Sequence, residues 1–368
     1  MLTVSLAAFV ALCLFQRFPM ADVLVYRAEG AAVANGTDLY GFTVTEWKLP
    51  ATYPPLAAVL FVPAAWLPLP VLKLAVMAGN LVLLALLVDL SLRLVGRGGT
   101  AYRLPLVLGG TGLALWLEPV FQTFVFGQIN LALACLVLWD LTRPAGARGK
   151  GLAIGAAAGI KLTPFIFVVY LLLTGRVRAG LTALAGFAGT VLAGWLVLPG
   201  ASVDFWTRRL YETDRVGKAW IVDNQSLQGL VARVLHDPAP GVWWVVPAAV
   251  VGVGGLWAAR RVFFRRGECW GVLATALVAL LVSPISWSHH WVWCVPLLAA
   301  LAVSAPRWVT GVVAVVFVAR SMWLIPKQGD LDLHLPWWHQ PLASPYPLLG
   351  LVLLAALHHT LHHRARRT

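Results

Sequence analysis

The sequence predicts an all-α polytopic membrane protein, and composition is the first reason. Hydrophobic residues make up 60% of the 368 residues, charged residues only 12%, and the mean hydropathy is +0.80. A soluble domain carries about 25% charged residues. The 18 tryptophans also fit the aromatic belts that form at membrane interfaces. No hydrophilic stretch is long enough for a soluble domain, so we expect one integral-membrane domain over residues 1–368.

Apolar segments follow one another along the chain and define the predicted helices. They run over residues 2–18, 71–92, 104–118, 127–142, 151–175, 179–199, 241–259, 269–284, 288–305, 308–325 and 346–361. Several are shorter than the ~20 residues of a simple crossing, which predicts short or broken helices buried in protein. The short, proline-punctuated segment 55–68 is predicted to be interfacial or re-entrant. We expect about 10–13 transmembrane or re-entrant helices in total.

Lysine and arginine predict the orientation, because basic loops stay in the cytoplasm. The cytoplasmic groups are Arg93/Arg97/Arg103, Arg143/Arg148/Lys150, Arg176/Arg178, Arg260/Arg261/Arg265/Arg266, Arg307 and Arg364/Arg366/Arg367. The connections 19–52, 119–127, 200–240, 284–290 and 326–345 then lie outside. Residues 151–175 join two basic loops, so they cross an even number of times. We predict two half-helices, 151–159 and 164–174, that meet near Lys161.

Other features of the composition exclude several classes of protein. The net charge of +13 does not predict nucleic-acid binding, because the basic residues are spread in short groups between apolar spans. The four cysteines lie within or beside apolar segments without a Cys-x-x-Cys pair, so we expect neither disulfides nor a thiolate metal site. Residues 1–16 lack a basic start and a small-residue cleavage site, which argues against a cleaved signal peptide.

Polar residues concentrate on the side opposite the basic loops, beginning with the first connection. Asp22, Tyr26 and Glu29 are spaced i, i+4 and i+7, which places them on one face of a helix. The dipeptide Asn35-Gly36 is a suitable stop signal for that helix. This spacing predicts an interfacial helix with its polar side toward a cavity. It also fits a solvated loop helix in which Asp22 only caps the N-terminus.

Lys161 and the pair His289-His290 are the candidates for anion binding. An isolated ammonium between apolar half-helices costs several kcal/mol, so Lys161 needs an anion or water. A phosphate and a structural ion pair both satisfy it, and a helix that begins near Thr163 would add amide donors to a phosphate. The two histidines lie at the turn of an apolar hairpin and face either a cavity or water. We expect an external cavity for a sugar-like and a phosphorylated group.

Seven short motifs occur in order between residues 22 and 291. They are Asp22-Val-Leu-Val-Tyr26 with Gly30, Asn35-Gly36 before Leu39-Tyr40, Tyr53-Pro54-Pro55, Gly127-Gln128-Ile-Asn130, Ile160-Lys161-Leu-Thr163-Pro164, Asn224-Gln225-Ser226-Leu227, and Ser283-Pro-Ile-Ser-Trp287 with His289-His290-Trp291. In this order the chain resembles glycosyltransferase family 87 of the GT-C superfamily, the polyprenyl-phosphomannose-dependent mannosyltransferases of actinobacteria. The part after Trp291 carries no matching motif.

The resemblance implies a GT-C-type fold with an outer-face cavity in the cell membrane. It implies an inverting transfer on the extracytoplasmic face that needs neither a metal nor a cofactor. The donor would be mannose on a polyprenyl monophosphate, and the acceptor a glycolipid or glycan. Asp22 occupies the place of the general base, which takes the proton of the attacking hydroxyl.

The remaining site residues divide into two groups. Cations stabilise the charge that grows on a departing phosphate, so the donor phosphate is assigned to Lys161, His289 and His290. The residues assigned to the acceptor or sugar are Tyr26, Glu29, Gln128, Asn130, Asn224 and Gln225.

Three other functions stay open at this point. An arabinofuranosyltransferase would use a similar lipid carrier. A lipid-linked sugar transporter or flippase would place ionisable residues near the midplane, in matched halves of the chain. An inactive structural subunit of an envelope assembly would tolerate replacement of Asp22. The concentration of polar residues on the outer side favours an enzyme that uses a lipid of the outer leaflet.

Overall fold

The computed structural model describes residues 2–16, 18–99 and 101–365, and it is almost entirely helical. Arg366, Arg367 and the side chain of Arg364, which belong to the predicted basic pattern, lie outside this description. The only strands within it are β1 (Thr43–Val44) and β2 (Leu49–Pro50), which pair antiparallel with Thr43 opposite Pro50.

The helices of the first half of the chain include both long and very short elements. They are α1 (Leu2–Gln16), α2 (Ala21–Asn35), α3 (Pro55–Leu60), α4 (Val62–Trp66), α5 (Leu69–Leu94), α6 (Arg103–Ala114), α7 (Glu118–Phe126), α8 (Asn130–Thr142), α9 (Leu152–Ile160) and α10 (Ile166–Leu173). A single 3-10 turn, Thr163–Phe165, leads into α10. The segment predicted to be interfacial or re-entrant forms α3 and α4, which are too short to cross a membrane.

The second half of the chain also contains both long and very short helices. Its helices are α11 (Val177–Val197), α12 (Pro199–Thr207), α13 (Leu227–Leu235), α14 (Val242–Arg266), α15 (Glu268–Val282), α16 (Cys294–Ser304), α17 (Arg307–Val318), α18 (Gln340–Ala343) and α19 (Pro345–Ala365). Its 3-10 turns are Arg209–Tyr211, Thr213–Val216, Ser288–Trp293, Ser321–Leu324, Gln328–His334 and Trp337–His339.

The helices confirm a polytopic membrane protein with many short or broken elements. In the described part of the chain, four helices are long and apolar enough to cross a membrane, namely α5, α11, α14 and Arg307–Leu324. The count rises to six if each bent pair is one span: α6 with α7 at 75°, and Trp337–Ala343 with Pro345–His359 at 83°. The shorter apolar helices are Leu2–Cys13, Asn130–Thr142, Thr163–Leu173, Glu268–Val282 and Ser288–Ser304.

Helices α9 and α10 form the predicted pair of half-helices and both pack on α11. The close approaches of α9 to α11 run in parallel order: Gly151 with Ala179, Gly155 with Ala183, and Gly159 with Thr190. Those of α10 and of the 3-10 turn before it run in antiparallel order: Leu172 with Gly180, and Phe165 with Phe187. The chain therefore enters along α9 and returns along α10.

The tip of this re-entrant hairpin carries Lys161. Helix α9 has nine residues, so it rises about 14 Å, roughly half the thickness of the hydrocarbon core. Its C-cap is Lys161, which has an extended backbone (φ −148°, ψ 128°). The break therefore places the lysine deep in the protein, above the basic side of the molecule.

Candidate active site

Helix α2 presents its polar face to the interior, as its spacing predicts. Tyr26 and Glu29 are 4% and 1% exposed, whereas Asp22 is partly exposed. The helix ends at Gly36, whose φ of 64° lies in the left-handed region and whose N–H reaches the last-turn carbonyls. This confirms the predicted stop signal. With 15 residues, α2 is not among the helices that are long and apolar enough to cross a membrane in the described part of the chain.

Two tyrosines and a glutamine form the first part of the site. The hydroxyls of Tyr26 and Tyr53 lie 3.0 Å apart, and they donate to Oε1 of Gln128 at 3.1 and 3.2 Å. Tyr26 also stacks on Phe61, with ring centroids 4.4 Å apart. Three elements distant in sequence are thereby joined: α2, the segment before α3, and the loop between α7 and α8. Only the motif Tyr53-Pro54-Pro55 pointed to Tyr53, to which no role was assigned from the sequence.

Gly127 allows α2 to approach this loop. Its φ is 72°, and a Cβ added there would lie 2.2 Å from Cγ2 of Val23 and 3.2 Å from Cε of Met20. Both the left-handed backbone and the lack of space require glycine. The N–H of Met20 donates to the carbonyl of Val125 at 2.9 Å, which fixes the start of α2 on the end of α7. The close contact brings the Gln128 amide to the tyrosine hydroxyls.

The second part of the site is built around Lys161. Its Nζ donates to Oδ1 of Asn130 at 3.1 Å and lies 3.0 Å from Nε2 of His290. Since an ammonium only donates, Nε2 of His290 accepts and the proton of the neutral ring sits on Nδ1. The ammonium also lies 5.4 Å from the ring centroid of Tyr53, within range of a cation–π contact. The structure therefore joins the two parts of the site.

The two histidines have different surroundings. His289 is 6% exposed, and its ring packs 5.5 Å from Phe126. Its Nε2 is buried and has no hydrogen-bond partner among the residues that the structure describes. Its main-chain carbonyl accepts from Nδ2 of Asn130 at 3.1 Å. Buried polar atoms rarely stay unpaired in native proteins, so this nitrogen is available to a ligand. His290, in contrast, already contacts Lys161.

The two carboxylates of α2 differ in protonation. Burial raises the pKa of Asp22 to about 6, while the Gln128 side chain and the Lys161 charge act in the opposite direction. Burial raises the pKa of Glu29 further, to about 8, although backbone N–H groups of Thr52 and Tyr53 favour its anion. At neutral pH, Asp22 is therefore mostly ionised and Glu29 mostly neutral. Only Asp22 has the form that a general base needs.

Glu29 keeps one oxygen without a partner. Its Oε1 accepts from the N–H of Thr52 at 3.3 Å, whereas its Oε2 is buried and has no hydrogen-bond partner in the described part of the chain. A neutral carboxyl group at this place is able to donate one hydrogen bond and accept another. That capacity suits a sugar hydroxyl. Among the residues that the structure describes, no three His, Cys, Asp or Glu side chains are grouped to hold a metal ion.

A mostly apolar crevice begins beside Lys161 and its partners. Its free volume, including the part open to solvent, is about 510 Å³. Polar lining residues lie at the near ends of the surrounding helices: Asn130, Thr163, Ser283, Ser286 and His290. Deeper along the same helices the lining is apolar, with Leu133, Ala134, Val137, Phe167, Ala279 and Leu280. The crevice therefore passes from a polar end to an apolar interior between α8, α10 and α15.

Asn224 and Gln225 are not brought into this cluster. Both are 0% exposed, and the polar atoms of both side chains bond to backbone groups. The structure does group the other predicted residues: Asp22, Tyr26, Gln128, Asn130, Lys161 and His290, with Glu29 and His289 at the edges. A sugar-binding role of Asn224 and Gln225 stays a prediction, and their contacts are those of structural support.

The C-terminal part of the chain supplies contacts that no sequence motif indicated. Glu118, at the start of α7, is 0% exposed and accepts from Tyr346 Oη at 2.7 Å and from Trp323 Nε1 at 3.3 Å. These contacts join α7 to a region more than 200 residues further along the chain. A glutamate before a proline in an apolar stretch was the only signal in the sequence.

Known proteins resemble the chain over most of its length. Residues 51–284 match the model of glycosyltransferase family 87. The chain is 36% identical over 363 residues to a polyprenol-phosphate-mannose-dependent alpha-(1-2)-phosphatidylinositol mannoside mannosyltransferase of Mycobacterium tuberculosis, covering 91% of this chain and 84% of that protein. The protein of the same description from Mycolicibacterium smegmatis is 35% identical over 358 residues, covering 88% and 80%.

A second kind of relative carries phosphatidylinositol pentamannoside in its description. It is the polyprenol-phosphate-mannose-dependent alpha-(1-2)-phosphatidylinositol pentamannoside mannosyltransferase of Mycobacterium tuberculosis, 35% identical over 282 residues, covering 75% of this chain and 65% of that protein. No solved structure matches the chain. The family match covers well over half of the sequence and includes the motifs that form the site from Tyr53 to Ser283. The chain therefore belongs to glycosyltransferase family 87.

Proposed function

We propose that the protein transfers a mannosyl residue from a polyprenyl phosphate to a glycolipid acceptor of the phosphatidylinositol mannoside class. The transfer takes place on the extracytoplasmic face of the cell membrane, in a single domain that spans residues 1–368. The descriptions of the relatives support both the donor and the acceptor class. The distribution of the basic loops supports the orientation, because the site lies on the side opposite to them.

Asp22 is the general base of the proposed reaction. A hydroxyl oxygen of the acceptor attacks the anomeric carbon of the donor, and its proton passes to the Asp22 carboxylate. The bond from the anomeric carbon to the phosphate oxygen breaks, and polyprenyl phosphate leaves with the bonding electron pair. One displacement inverts the configuration at the anomeric carbon. The leaving group is already a stable anion, so the mechanism requires no strong acid.

Lys161 and the histidine pair bind the donor phosphate. Two of the three N–H groups of the Lys161 ammonium have the partners Asn130 and His290, which leaves one for a phosphate oxygen. Nε2 of His289, buried and unpaired, supplies a second donor in the corresponding tautomer. In the proposed complex these donors bind the oxygen on which charge grows as the bond breaks, which is where electrostatic stabilisation lowers the barrier.

The crevice beside Lys161 suits the lipid part of the donor. Its polar end includes Asn130 and His290, and its deeper lining is aliphatic or aromatic. An isoprenoid chain that enters there would keep its apolar surface out of water while its phosphate meets Lys161. The acceptor then approaches from the side of α2, where Asp22, Tyr26, Glu29 and Gln128 offer groups for sugar hydroxyls.

One observation carries this proposal: Asp22 and the cation Lys161 meet at the same cluster, because Asp22 hydrogen-bonds to Gln128, Gln128 accepts from Tyr53, and Lys161 lies 5.4 Å from the Tyr53 ring centroid. With a base and a phosphate-binding cation at the same cluster, the site has the groups needed for a displacement at a carbon bonded to phosphate. The test is transfer by the full chain, purified and reconstituted in vesicles, with labelled mannosyl polyprenyl phosphate and extracted phosphatidylinositol mannosides. We expect a labelled glycolipid one hexose heavier than the acceptor.

Two results would contradict the proposal. Transfer from an arabinofuranosyl polyprenyl phosphate, with none from the mannosyl donor, would give the enzyme a different sugar. Movement of the intact donor across the vesicle membrane, without a new glycosidic bond, would show a transporter. The matched control is the same preparation of Asp22→Asn, because it keeps the fold and lacks the base.

A further inference from the structure

The turn that carries His289 and His290 is held from its outer side by residues 222–226, called here the outer brace. The N–H of Gln225 donates to the carbonyl of Ser286 at 2.8 Å, and the N–H of Ser288 donates to the carbonyl of Asp223 at 2.8 Å. Asn224 and Trp287 form an isolated antiparallel bridge between these two bonds. The outer brace therefore pairs with the turn as a short strand would.

The side chain of Asn224 completes this pairing. Its Nδ2 donates to the carbonyls of Pro284 at 3.0 Å and Ala219 at 2.8 Å, while its Oδ1 accepts from the N–H of Ser286 at 2.9 Å. Asn224 is 0% exposed, so water does not compete for these hydrogen bonds. Only an amide of this length offers two donors and an acceptor to three backbone groups.

The inner side of the same turn meets the phosphate-binding groups. Asn130 Nδ2 donates to the carbonyl of His289, and Nε2 of His290 contacts Lys161. The turn is thus held at two places, by Asn224 at Pro284 and Ser286 and by Asn130 at His289. A shift of about 1 Å in the turn would break the contact of His290 with Lys161, and misplacements of that size typically cost on the order of 10²-fold in rate.

The outer brace is itself anchored to the C-terminal part of the chain. Nε2 of Gln225 donates to the carbonyl of Ala343 at 2.7 Å, and Oε1 accepts from the N–H of Tyr346 at 3.1 Å. Arg233, 0% exposed, donates to the carbonyl of Asn224 at 3.2 Å and to Oγ of Ser344 at 2.8 Å. Ala343, Ser344 and Tyr346 lie beyond residue 284, where the family match ends.

We infer that Asn224 is a positioning residue for the histidine pair, and that it acts through the turn without touching the sugar. Gln225 and Arg233 hold the outer brace against the C-terminal region so that the turn cannot move outward. This inference rests on the proposed function for its activity measurements. A second measurement, independent of transfer, tests the positioning by itself.

The activity test is a double-mutant cycle between Asn224→Ala and His290→Ala. Each single change should lower kcat/KM for the polyprenyl-phosphate donor by at least about tenfold, with less effect on KM for the acceptor. The double variant should be no worse than His290→Ala alone, because residues that act through one contact are not additive. Losses that multiply would overturn the inference and favour direct contact of Asn224 with the substrate.

A matched control removes the amide of another buried asparagine. Asn80 lies in α5 and is 4% exposed, and its Nδ2 has no hydrogen-bond partner within residues 2–16, 18–99 and 101–365 as described. Asn80→Ala should leave donor kcat/KM within about twofold of the parent, because this residue holds no turn of the site. Asn224→Gln, which keeps the amide but shifts it by one methylene, should recover part of the activity lost in Asn224→Ala. No recovery with the longer amide would count against a hydrogen-bonding role.

The second measurement is thiol labelling at the turn. Ser288→Cys, in a chain without its four native cysteines, places a thiol at a position that is 2% exposed. Labelling should be slow in this parent and at least about tenfold faster after Asn224→Ala. A chain with Cys294 as its only cysteine, 1% exposed in α16, should stay protected in both backgrounds.

The labelling separates failure of the inference from failure of the proposed function. Unchanged labelling at position 288 would overturn the inference, as would equal exposure of position 288 and Cys294, which indicates general unfolding. Faster labelling at position 288 alone supports the positioning role even if the protein shows no transfer. Absence of transfer in the parent chain would contradict only the proposed function.

Discussion

Replacement of Asp22 by asparagine tests the centre of the proposed mechanism. The change keeps the shape of the side chain and a hydrogen-bonding group, but it removes the proton acceptor. Loss of a general base typically costs 10²- to 10⁴-fold in rate, so we expect mannosyl transfer to fall by at least about a hundredfold. A hundredfold loss corresponds to roughly 2.7 kcal/mol in the activation free energy.

The pH dependence of the transfer rate of the parent protein is a second quantity that tests the role of Asp22. Burial raises the pKa of Asp22 to about 6. A carboxyl with that pKa is about 90% ionised at pH 7 and about 10% ionised at pH 5. The rate at low donor concentration should therefore drop about tenfold between pH 7 and pH 5. Asp22→Asn should show no such drop, because the residual reaction no longer depends on this carboxylate.

The fold should tolerate this change. A carboxyl whose folded pKa is raised has an anion that folding disfavours, so its ionised form subtracts from stability above the unfolded pKa of about 3.9. Asparagine removes that unfavourable charge at neutral pH. We expect the expression level and the thermal unfolding midpoint in detergent to equal or slightly exceed those of the parent. If Asp22→Asn folds as well as the parent but loses most of its transfer activity, the role of Asp22 is in the reaction and not in folding.

Glu29→Gln is the matched control on the same face of α2. Burial raises the pKa of Glu29 to about 8, so the parent side chain is mostly neutral at pH 7 and glutamine conserves that state. We expect a loss below about tenfold. The assay is initial rate with labelled mannosyl polyprenyl phosphate at pH 5 to 8. Near-normal transfer by Asp22→Asn together with an inactive Glu29→Gln would show that the wrong carboxylate has been assigned as the base.

Four other results are expected. Lys161→Ala should raise KM for the donor more than for the acceptor, with partial rescue by Lys161→Arg, because the two cations differ in shape and hydration; equal effects on both substrates would argue against phosphate binding. Gly127→Ala should cost about 1–3 kcal/mol of stability, because its Cβ would meet Val23 on a left-handed backbone, while Gly146→Ala in open space should be neutral. Transfer should persist in excess chelator, and a loss that magnesium restores would point to a diphosphate donor. An impermeant thiol reagent applied outside should label cysteine at Thr37 and Tyr211 and leave cysteine at Ala145 unlabelled; the opposite pattern would invert the orientation.

The class of the protein and the break at Lys161 follow from the sequence alone. Hydropathy fixes which segments leave water, and the basic loops on both sides of residues 151–175 allow only an even number of crossings. The structure confirms the two half-helices, which end at Ile160 and resume at Thr163. The stop at Gly36 was predictable for a similar reason, because a left-handed cap depends on the local chain. The class, the break at Lys161 and the stop at Gly36 are predictable because each depends on residues close together in the sequence.

The composition of the site depended on contacts between distant segments. Asp22, Tyr26, Gln128 and Lys161 come together because α2, the α7–α8 loop and the re-entrant hairpin meet, and their motifs already suggested a common role. Tyr53 completes the cluster through bonds to residues 27 and 75 positions away. No local pattern distinguishes such a tyrosine from an ordinary interfacial aromatic residue. Only the packing of α3 against α2 decided its place.

The direction in which a polar side chain faces was decided by tertiary structure. The sequence assigned Asn224 and Gln225 to the acceptor or sugar on the same grounds as Gln128 and Asn130. Their amides nevertheless bond to the backbone of the turn and of the C-terminal region. A side chain is satisfied by whichever donors and acceptors lie around it, and here four of the six partners come from residues 60 to 121 positions away. The sequence by itself determined which polar residues lie in and beside the connections between the apolar segments. The tertiary structure determined which of them face the cavity and which hold its walls, because hydrogen-bond satisfaction of buried groups depends on the complete set of neighbours.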